Sequence, residues 1–193
     1  MKKALLSIGL LAASSMAVAA SPDMPTATDF NFDTAKKSVS AGLANVADMS
    51  GVRFAGRVDF TSGFYADVSY YTVSDEETVF GESLDLTGNQ LLAVVGKNFG
   101  EDWFAQVGFA NVSAEIKSSV GKFDDSATEL AWKAGKKFNL QNNLEASVYL
   151  ADEGGDIFVG ALAEFSINEK FGVKFQYDAY SDSHMYFLGE YKF

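Results

Sequence analysis

The sequence contains no cysteine and only one histidine. Without cysteine there is no disulfide, no thiolate metal site and no thiol nucleophile, so the chain is not held together by covalent cross-links. Long apolar runs are missing too: beyond residue 20 nothing approaches the roughly 20 consecutive apolar residues of a membrane helix. Positive charge is scarce, with 15 Lys and Arg against 26 Asp and Glu and a net charge of −11. That balance argues against nucleic acid as a partner and against electrostatic docking on an anionic surface. No glycine-rich phosphate loop, HExxH or GxSxG motif is present.

What the chain has is an export leader and abundant aromatic residues, 17 Phe and 8 Tyr among them. Lys2 and Lys3 precede a short apolar stretch at 4–13, and Ala17-Val18-Ala19 is a small-x-small cleavage site. Residues 1–19 are therefore expected to be a Sec-type signal peptide, cut after Ala19 or Ala20. An N-terminal membrane anchor is disfavoured because the apolar run is too short. Removing Lys2 and Lys3 leaves 13 basic and 26 acidic residues. Residues 20–37 are expected to be a periplasmic N-terminal segment and 38–193 a single domain.

Within that domain polarity alternates with period two. Phe171, Val173, Phe175, Tyr177 and Ala179 interleave with Gly172, Lys174, Gln176, Asp178 and Tyr180. A strand sends successive side chains to opposite faces, so such a segment has one apolar and one wet face. The same holds for Val52, Phe54, Val58 and Phe60 against Arg53, Arg57 and Asp59, and for Phe64, Ala66, Val68 and Tyr70 against Tyr65, Asp67 and Ser69. It also holds around Leu144 to Leu150 and Ile157 to Phe165. Two stretches are irregular. The apolar phase slips between Phe109 and Ala110, as at a β-bulge or in a strand leaving a membrane. Residues 91–95 are apolar on both faces.

Short connections at 61–63, 100–102, 141–143 and 168–170 read as tight turns. Between them come acidic and mostly longer segments at 74–85, 118–126, 151–156 and 181–183, expected to be loops. Phe60, Phe99 and Phe138 recur every 39 residues, each just before a short turn. With Phe64, Trp103 and Phe171 they are expected to form an aromatic girdle.

A two-faced strand pattern suits either a soluble sandwich or a membrane barrel with its apolar face outward. Export, aromatic-rich strand ends and charges of both signs on the opposite face favour the barrel, which must close because lipid satisfies no backbone group. Arg53, Arg57, Lys133 and Lys174 would then share the lumen with Asp67, Glu145, Glu164 and Asp178 as a charge network, structural or pore-lining. The fold expectation is all-β: a single up-and-down antiparallel transmembrane β-barrel.

Met185, Phe187, Gly189, Tyr191 and Phe193 share one face of the last strand. An exported chain closing on alternate aromatic residues and a C-terminal Phe resembles the assembly signal of outer-membrane barrels, here Phe187, Gly189, Tyr191 and Phe193. With the leader and the strand meander, the chain resembles the small OmpA/OmpX-type outer-membrane barrel families. The resemblance implies handling by the barrel-assembly machinery and contact with outer-membrane lipid and lipopolysaccharide. No peptidoglycan-binding domain of the kind carried by full-length OmpA-type proteins is expected. Counting strands back from Phe193 with both ends in the periplasm requires an ascending strand over 38–46, with Val39, Ala41 and Leu43 on one face and a loop at 47–50, and predicts ten strands. The alternative is eight strands beginning at Phe64, with 33–48 as a helix or plug, since Ala35, Val39, Leu43 and Val46 also match helical spacing.

Little in the sequence points to catalysis. His184 follows Ser183 and Asp182, but neighbouring strand residues point to opposite faces, so a triad is disfavoured against a polar rim residue. The acidic loops match no calcium-loop spacing. No cofactor or metal site is expected. The expected function is a non-catalytic outer-membrane barrel with a structural or surface-interaction role. A narrow porin-like channel comes second and a lipid-modifying enzyme last.

Overall fold

Alternating polarity becomes ten strands: β1 (Lys36–Val46), β2 (Met49–Asp59), β3 (Phe64–Val79), β4 (Glu82–Phe99), β5 (Trp103–Ser118), β6 (Gly121–Gln141), β7 (Leu144–Glu153), β8 (Ile157–Ser166), β9 (Phe171–Ala179) and β10 (Ser183–Lys192). The structure is a computed structural model that describes residues 30–79, 82–100 and 102–193. The expected signal peptide, its cleavage site and residues 20–29 lie outside the described residues.

Each strand pairs antiparallel with its neighbours in sequence, and β1 pairs with β10 from Ser38 opposite Lys192 to Val46 opposite His184, closing the ring. The expectation of ten strands holds, and the eight-strand alternative is overturned. Residues 36–46 form a strand because β2 and β10 both need a partner there, and helical spacing yields to that tertiary ladder. The strand begins at Lys36, two residues before the expected boundary.

The wall is apolar outside. Leu43, Phe109 and Phe187 are 66%, 63% and 55% exposed. Their strand neighbours Ala44, Ala110 and Leu188 are buried inside. A continuous exposed apolar belt of this extent suits hydrocarbon, not water. On β4 the outward apolar residues run from Leu91 to Phe99, roughly 20–25 Å along the axis of a tilted strand, close to the apolar band of about 25 Å in outer-membrane barrels. A polar ladder limits the belt at one end. Tyr70 Oη donates to Asn89 Oδ1 (3.0 Å), Asn89 Nδ2 to Ser113 Oγ (3.4 Å) and Asn111 Nδ2 to Thr128 Oγ1 (2.8 Å). Exposed Phe99, Trp103, Phe138 and Phe171 limit it at the other. Phe60 departs from the expected girdle: it is 7% exposed, with Phe30 and Phe32 edge-on against it at 5.3 and 5.1 Å.

The two irregular stretches are resolved by what fills the interior. Leu91 and Val95 face out, while Leu92 and Val94 face in and pack with Ala110 and Ala131. The phase slip in β5 involves no bulge, since its ladders with β4 and β6 are unbroken. Ala110 and Val112 are inward apolar residues of that same cluster.

The segments expected as long loops are mostly strand. Pairing of β3 with β4 continues to Val79 opposite Glu82, and pairing of β5 with β6 to Ser118 opposite Gly121. Pairing of β2 with β3 stops at Ser50 opposite Ser74, and that of β6 with β7 at Ala131 opposite Glu153. Strands β3–β6 therefore outrun the barrel as a four-stranded sheet. Acidic composition reads as loop, but cross-strand contacts stabilise these hairpins. Glu115 binds Lys117 and Lys122 at 2.6 and 2.7 Å, and Ser119 Oγ of one hairpin donates to Glu82 Oε2 of the other (2.8 Å). The hydrogen bond from Lys117, then that from Lys122, holds the Glu115 carboxyl below its ordinary range. At the β1–β2 connection the chain turns on two residues, Ala47 and Asp48, both at positive φ (49° and 67°).

Candidate functional site

The lumen brings together most of the inward polar side chains, and the barrel axis divides it into three zones. Toward the short-turn end lies an open vestibule of about 1120 Å³. Toward the hairpin end lies a smaller cavity of about 390 Å³. Between them a polar network and three apolar clusters fill the cross-section.

The network is built from side chains on six strands. Arg53 on β2 donates from Nη1 to Gln176 Oε1 (3.1 Å) and from Nη2 to Ser69 Oγ (3.3 Å), with its guanidinium 4.3 Å from the Tyr186 ring centroid. Gln176 Nε2 donates to Asp178 Oδ2 (2.7 Å), and Tyr149 Oη donates to Asp178 Oδ1 (2.6 Å). Asp178 is 1% exposed, and Gly160 sits beside it because a Cβ there would collide with both the Tyr149 ring and the carboxylate. Lys133 on β6 pairs with Glu153 on β7 at 3.0 Å, and Gln90 on β4 donates to the Glu153 carbonyl (3.0 Å). Around these groups pack Ala44, Val46, Tyr71, Val73, Tyr186 and Leu188, then Leu92, Val94, Ala110 and Ala131, then Tyr149, Ala151 and Phe158.

In the vestibule, Arg57 forms a forked pair with Asp59, the shortest contact being 2.7 Å, and lies over the Tyr65 ring at 4.0 Å. Lys174 bridges Glu164 (3.2 Å) and Glu190 (2.8 Å), Lys192 also reaches Glu190 (3.4 Å), and Lys137 reaches Glu145 (3.7 Å). Asp67 lines this cavity with no ion pair among the described residues.

All eight charged residues singled out in the sequence stand on inward positions, but their partners differ from the simplest pairing. Arg57 takes Asp59 instead of Asp67, Glu145 takes Lys137, and Asp178 is held by Tyr149 and Gln176. Glu153, Glu190, Tyr149, Gln176 and Gln90 went unflagged. Glu153 lies in the acidic segment that reads as a loop, yet it ends β7 and continues the inward alternation of Glu145, Ser147, Tyr149 and Ala151. The lumen is open toward the short turns, where the vestibule lies.

His184 stacks on Tyr180 (4.2 Å, 30°), which stacks in turn on Phe158 (4.0 Å, 27°). Neither Ser183 nor Asp182 hydrogen-bonds to His184 among the described residues, so no Ser-His-Asp arrangement is assembled there. Phe187, Tyr191 and Phe193 project outward along β10, 55%, 38% and 63% exposed, with Gly189 on the same face.

No protein-family model matches the chain, and no curated protein matches it. Among solved structures the chain is similar to Ail, the attachment invasion locus protein of Yersinia pestis, with a TM-score of 0.44 and 17% identity over 82% of this chain and 98% of that one. It is similar to the translocator domain of the autotransporter NalP from Neisseria meningitidis, with a TM-score of 0.42 and 10% identity over 86% of this chain and 90% of that one. The NanC porin is also similar, with a TM-score of 0.38 and 8% identity over 80% and 98% of the two chains. Each likeness is distant. The closed ladder and the outward apolar belt stand without it.

Proposed function

We propose that this chain is a small integral barrel of a bacterial outer membrane that presents a β-sheet outside the cell and performs no catalysis. The observation that carries this reading is the sheet of β3–β6, whose last strand runs from 121 to 130 with no strand on its other side among the described residues. A free edge of that length offers unpaired backbone donors and acceptors to a partner strand. Asp124, Asp125 and Glu129 on it discourage pairing with a second copy of itself. In this reading residues 1–19 export the chain, Phe187, Gly189, Tyr191 and Phe193 address it to the assembly machinery, and the belt contacts lipid and lipopolysaccharide. The lumen network is structural, since it crosses the barrel where a pore would have to pass.

The absence of native cysteine gives a direct test. Asp124→Cys, on the hairpin sheet, is expected to react with a membrane-impermeant maleimide on intact cells, and Glu169→Cys, in a short turn, only after lysis. Reversed labelling would overturn the orientation, and recovery of the chain as a soluble periplasmic monomer would overturn the barrel. A narrow channel is the second reading, supported by the open vestibule. Planar-bilayer recordings of heat-modifiable, folded protein are expected to show no stepwise current, and discrete openings would establish the channel instead.

A further inference from the structure

Three inward polar side chains on the hairpin side of the lumen network are buried yet incompletely matched. Tyr71, Gln90 and Glu153 are 7%, 8% and 7% exposed. Gln90 donates from Nε2 to the Glu153 carbonyl (3.0 Å), which fixes its amide and leaves Oε1 with no hydrogen bond among the described residues. The Tyr71 hydroxyl makes none there either, unlike those of Tyr65 and Tyr149. Glu153 meets Lys133 through Oε1 at 3.0 Å, and no hydrogen bond reaches its second oxygen among the described residues. These three oxygens are not sealed off. The described side-chain atoms that lack both a hydrogen bond and accessible surface are Arg53 Nε, Asn98 Oδ1 and Glu153 Oε1. Tyr71, Gln90 and Glu153 all line the cavity of about 390 Å³ at the hairpin end, and none of them lines the vestibule.

The fold draws the three together. Tyr71 and Gln90 stand opposite each other on the β3–β4 ladder, and the Gln90 amide reaches across to the end of β7. Each offers an acceptor, and buried acceptors left unmatched are rare and costly, so this floor suits a donor brought from outside the chain. Charge says which kind. The cavity is lined by five carboxylates and no Lys or Arg. Lys133, which lines the vestibule, matches Glu153. Asp125, Glu129, Asp156 and Asp182 at the rim have no ion pair among the described residues. An acidic rim alone is an ordinary solvated edge, and the buried floor sets this one apart. Among the described residues no three His, Asp or Glu side chains converge closely enough to hold a metal ion, so the spread of charge suits an extended cation better than a compact one. Val112, Ala114 and Ala127 supply an apolar wall, and Tyr180 stacked on His184 at 4.2 Å supplies another.

We propose that the hairpin-end cavity binds a linear organic polyammonium ion. One terminal ammonium, with three N–H donors and no acceptor, sits at the floor on Tyr71 Oη, Gln90 Oε1 and the second Glu153 oxygen. The methylenes lie along Val112, Ala114 and Ala127, and the remaining ammonium groups meet the rim carboxylates. On β6, Glu129 stands two residues beyond Ala131, the residue opposite Glu153. That is roughly 7 Å along the strand, a gap that a chain of a few methylenes spans. The cavity volume falls within the usual range for small-ligand pockets. That the cavity faces the cell exterior rests on the barrel orientation proposed above, whereas binding in detergent does not depend on it.

Calorimetric titration of the full chain, refolded in an uncharged detergent at low ionic strength, tests this with spermidine as the probe. Saturable one-to-one binding, weakened by added salt, is expected. Tyr71→Phe removes a hydroxyl that bonds to nothing among the described residues, so it should leave the urea transition unchanged. It should nevertheless weaken spermidine binding about tenfold, as expected for loss of a hydrogen bond to a charged group. Glu129→Gln/Asp182→Asn, at exposed positions, should weaken binding and flatten its salt dependence. Asp124→Asn, beside Asp125 but on the opposite face of β6, should leave binding unchanged. Should the Tyr71 variant fail to fold, the contrast between the rim pair and Asp124→Asn decides the matter. A folded, heat-modifiable band without saturable spermidine binding overturns the proposal, as does undiminished binding by folded Tyr71→Phe or equal loss in the Asp124 variant. Displacement of spermidine by magnesium chloride beyond that by sodium chloride of equal ionic strength would reduce the site to an acidic rim and overturn it too. Absence of the folded band would overturn the barrel reading itself.

Discussion

Lys133→Met is the substitution whose consequence the lumen specifies most closely. Lys133 and Glu153 lie 3.0 Å apart with side chains 11% and 6% exposed. At that separation and an effective dielectric of about 20 the pair attracts by about 5–6 kcal/mol, most of which the desolvation of both ions offsets. The intact pair therefore adds little net stability, whereas removing the ammonium alone leaves Glu153 buried without its cation. Asp178 close by is 1% exposed, is held by Tyr149 and Gln176, and has no ion pair among the described residues. The expected loss is about 3–5 kcal/mol. Lys133→Met/Glu153→Gln should recover much of it, because the stranded charge is then gone. The assay is urea unfolding of protein refolded into phosphatidylcholine vesicles, followed by tryptophan emission and by the folded band on unheated gels. Trp103, 51% exposed on the lipid-facing wall, is one reporter. A loss below about 1 kcal/mol, or a double variant no more stable than the single one, would refute the idea that this pair is buried and mutually dependent.

Other sites make sharper contrasts. Gly160→Ala places a methyl into the Tyr149 ring and the Asp178 carboxylate and should cost about 1–3 kcal/mol, while Gly56→Ala meets nothing within 4 Å and should not destabilise the same urea transition. Replacing Ala47-Asp48 with Asn-Gly suits the two positive φ values of the β1–β2 turn and should stabilise by about 0.5–1 kcal/mol; an unchanged or lower midpoint would show the turn to be unstrained. The Glu115 carboxyl is depressed by Lys117 and then Lys122, so its contribution to the hairpin is present above the ordinary glutamate value and lost as pH falls through the depressed one. Amide exchange around 115–122 should accelerate on acidification below the ordinary glutamate range, and Glu115→Gln should remove that dependence.

The wall was legible in the sequence because lipid and lumen impose opposite demands on successive residues. Phe171 to Ala179 alternates so strictly that only one orientation in a closed barrel is possible, and parity counted from Phe193 required the strand that became β1. Legibility failed where the demand weakened. In the middle of the barrel part of the interior is apolar, so Leu92, Val94 and Ala110 read as two-faced or out of phase. Beyond the membrane neither face must be apolar, so paired strands such as 74–79 and 121–126 read as acidic loop. Inward charges could be named from alternation, but their partners could not. Whether Arg57 meets Asp59 or Asp67 depends on side-chain reach and strand stagger.

The sequence by itself determined the architecture: a strand meander with one apolar and one polar face, because that pattern is a one-dimensional property with period two. Only the tertiary structure decided that β1 closes on β10, that β3–β6 outrun the barrel, and that the lumen is plugged in its middle yet open toward the short turns. Those features depend on which residues oppose one another across strands far apart in the chain. They also depend on volume, since the space left inside a ring is set by all ten strands together and by no segment alone.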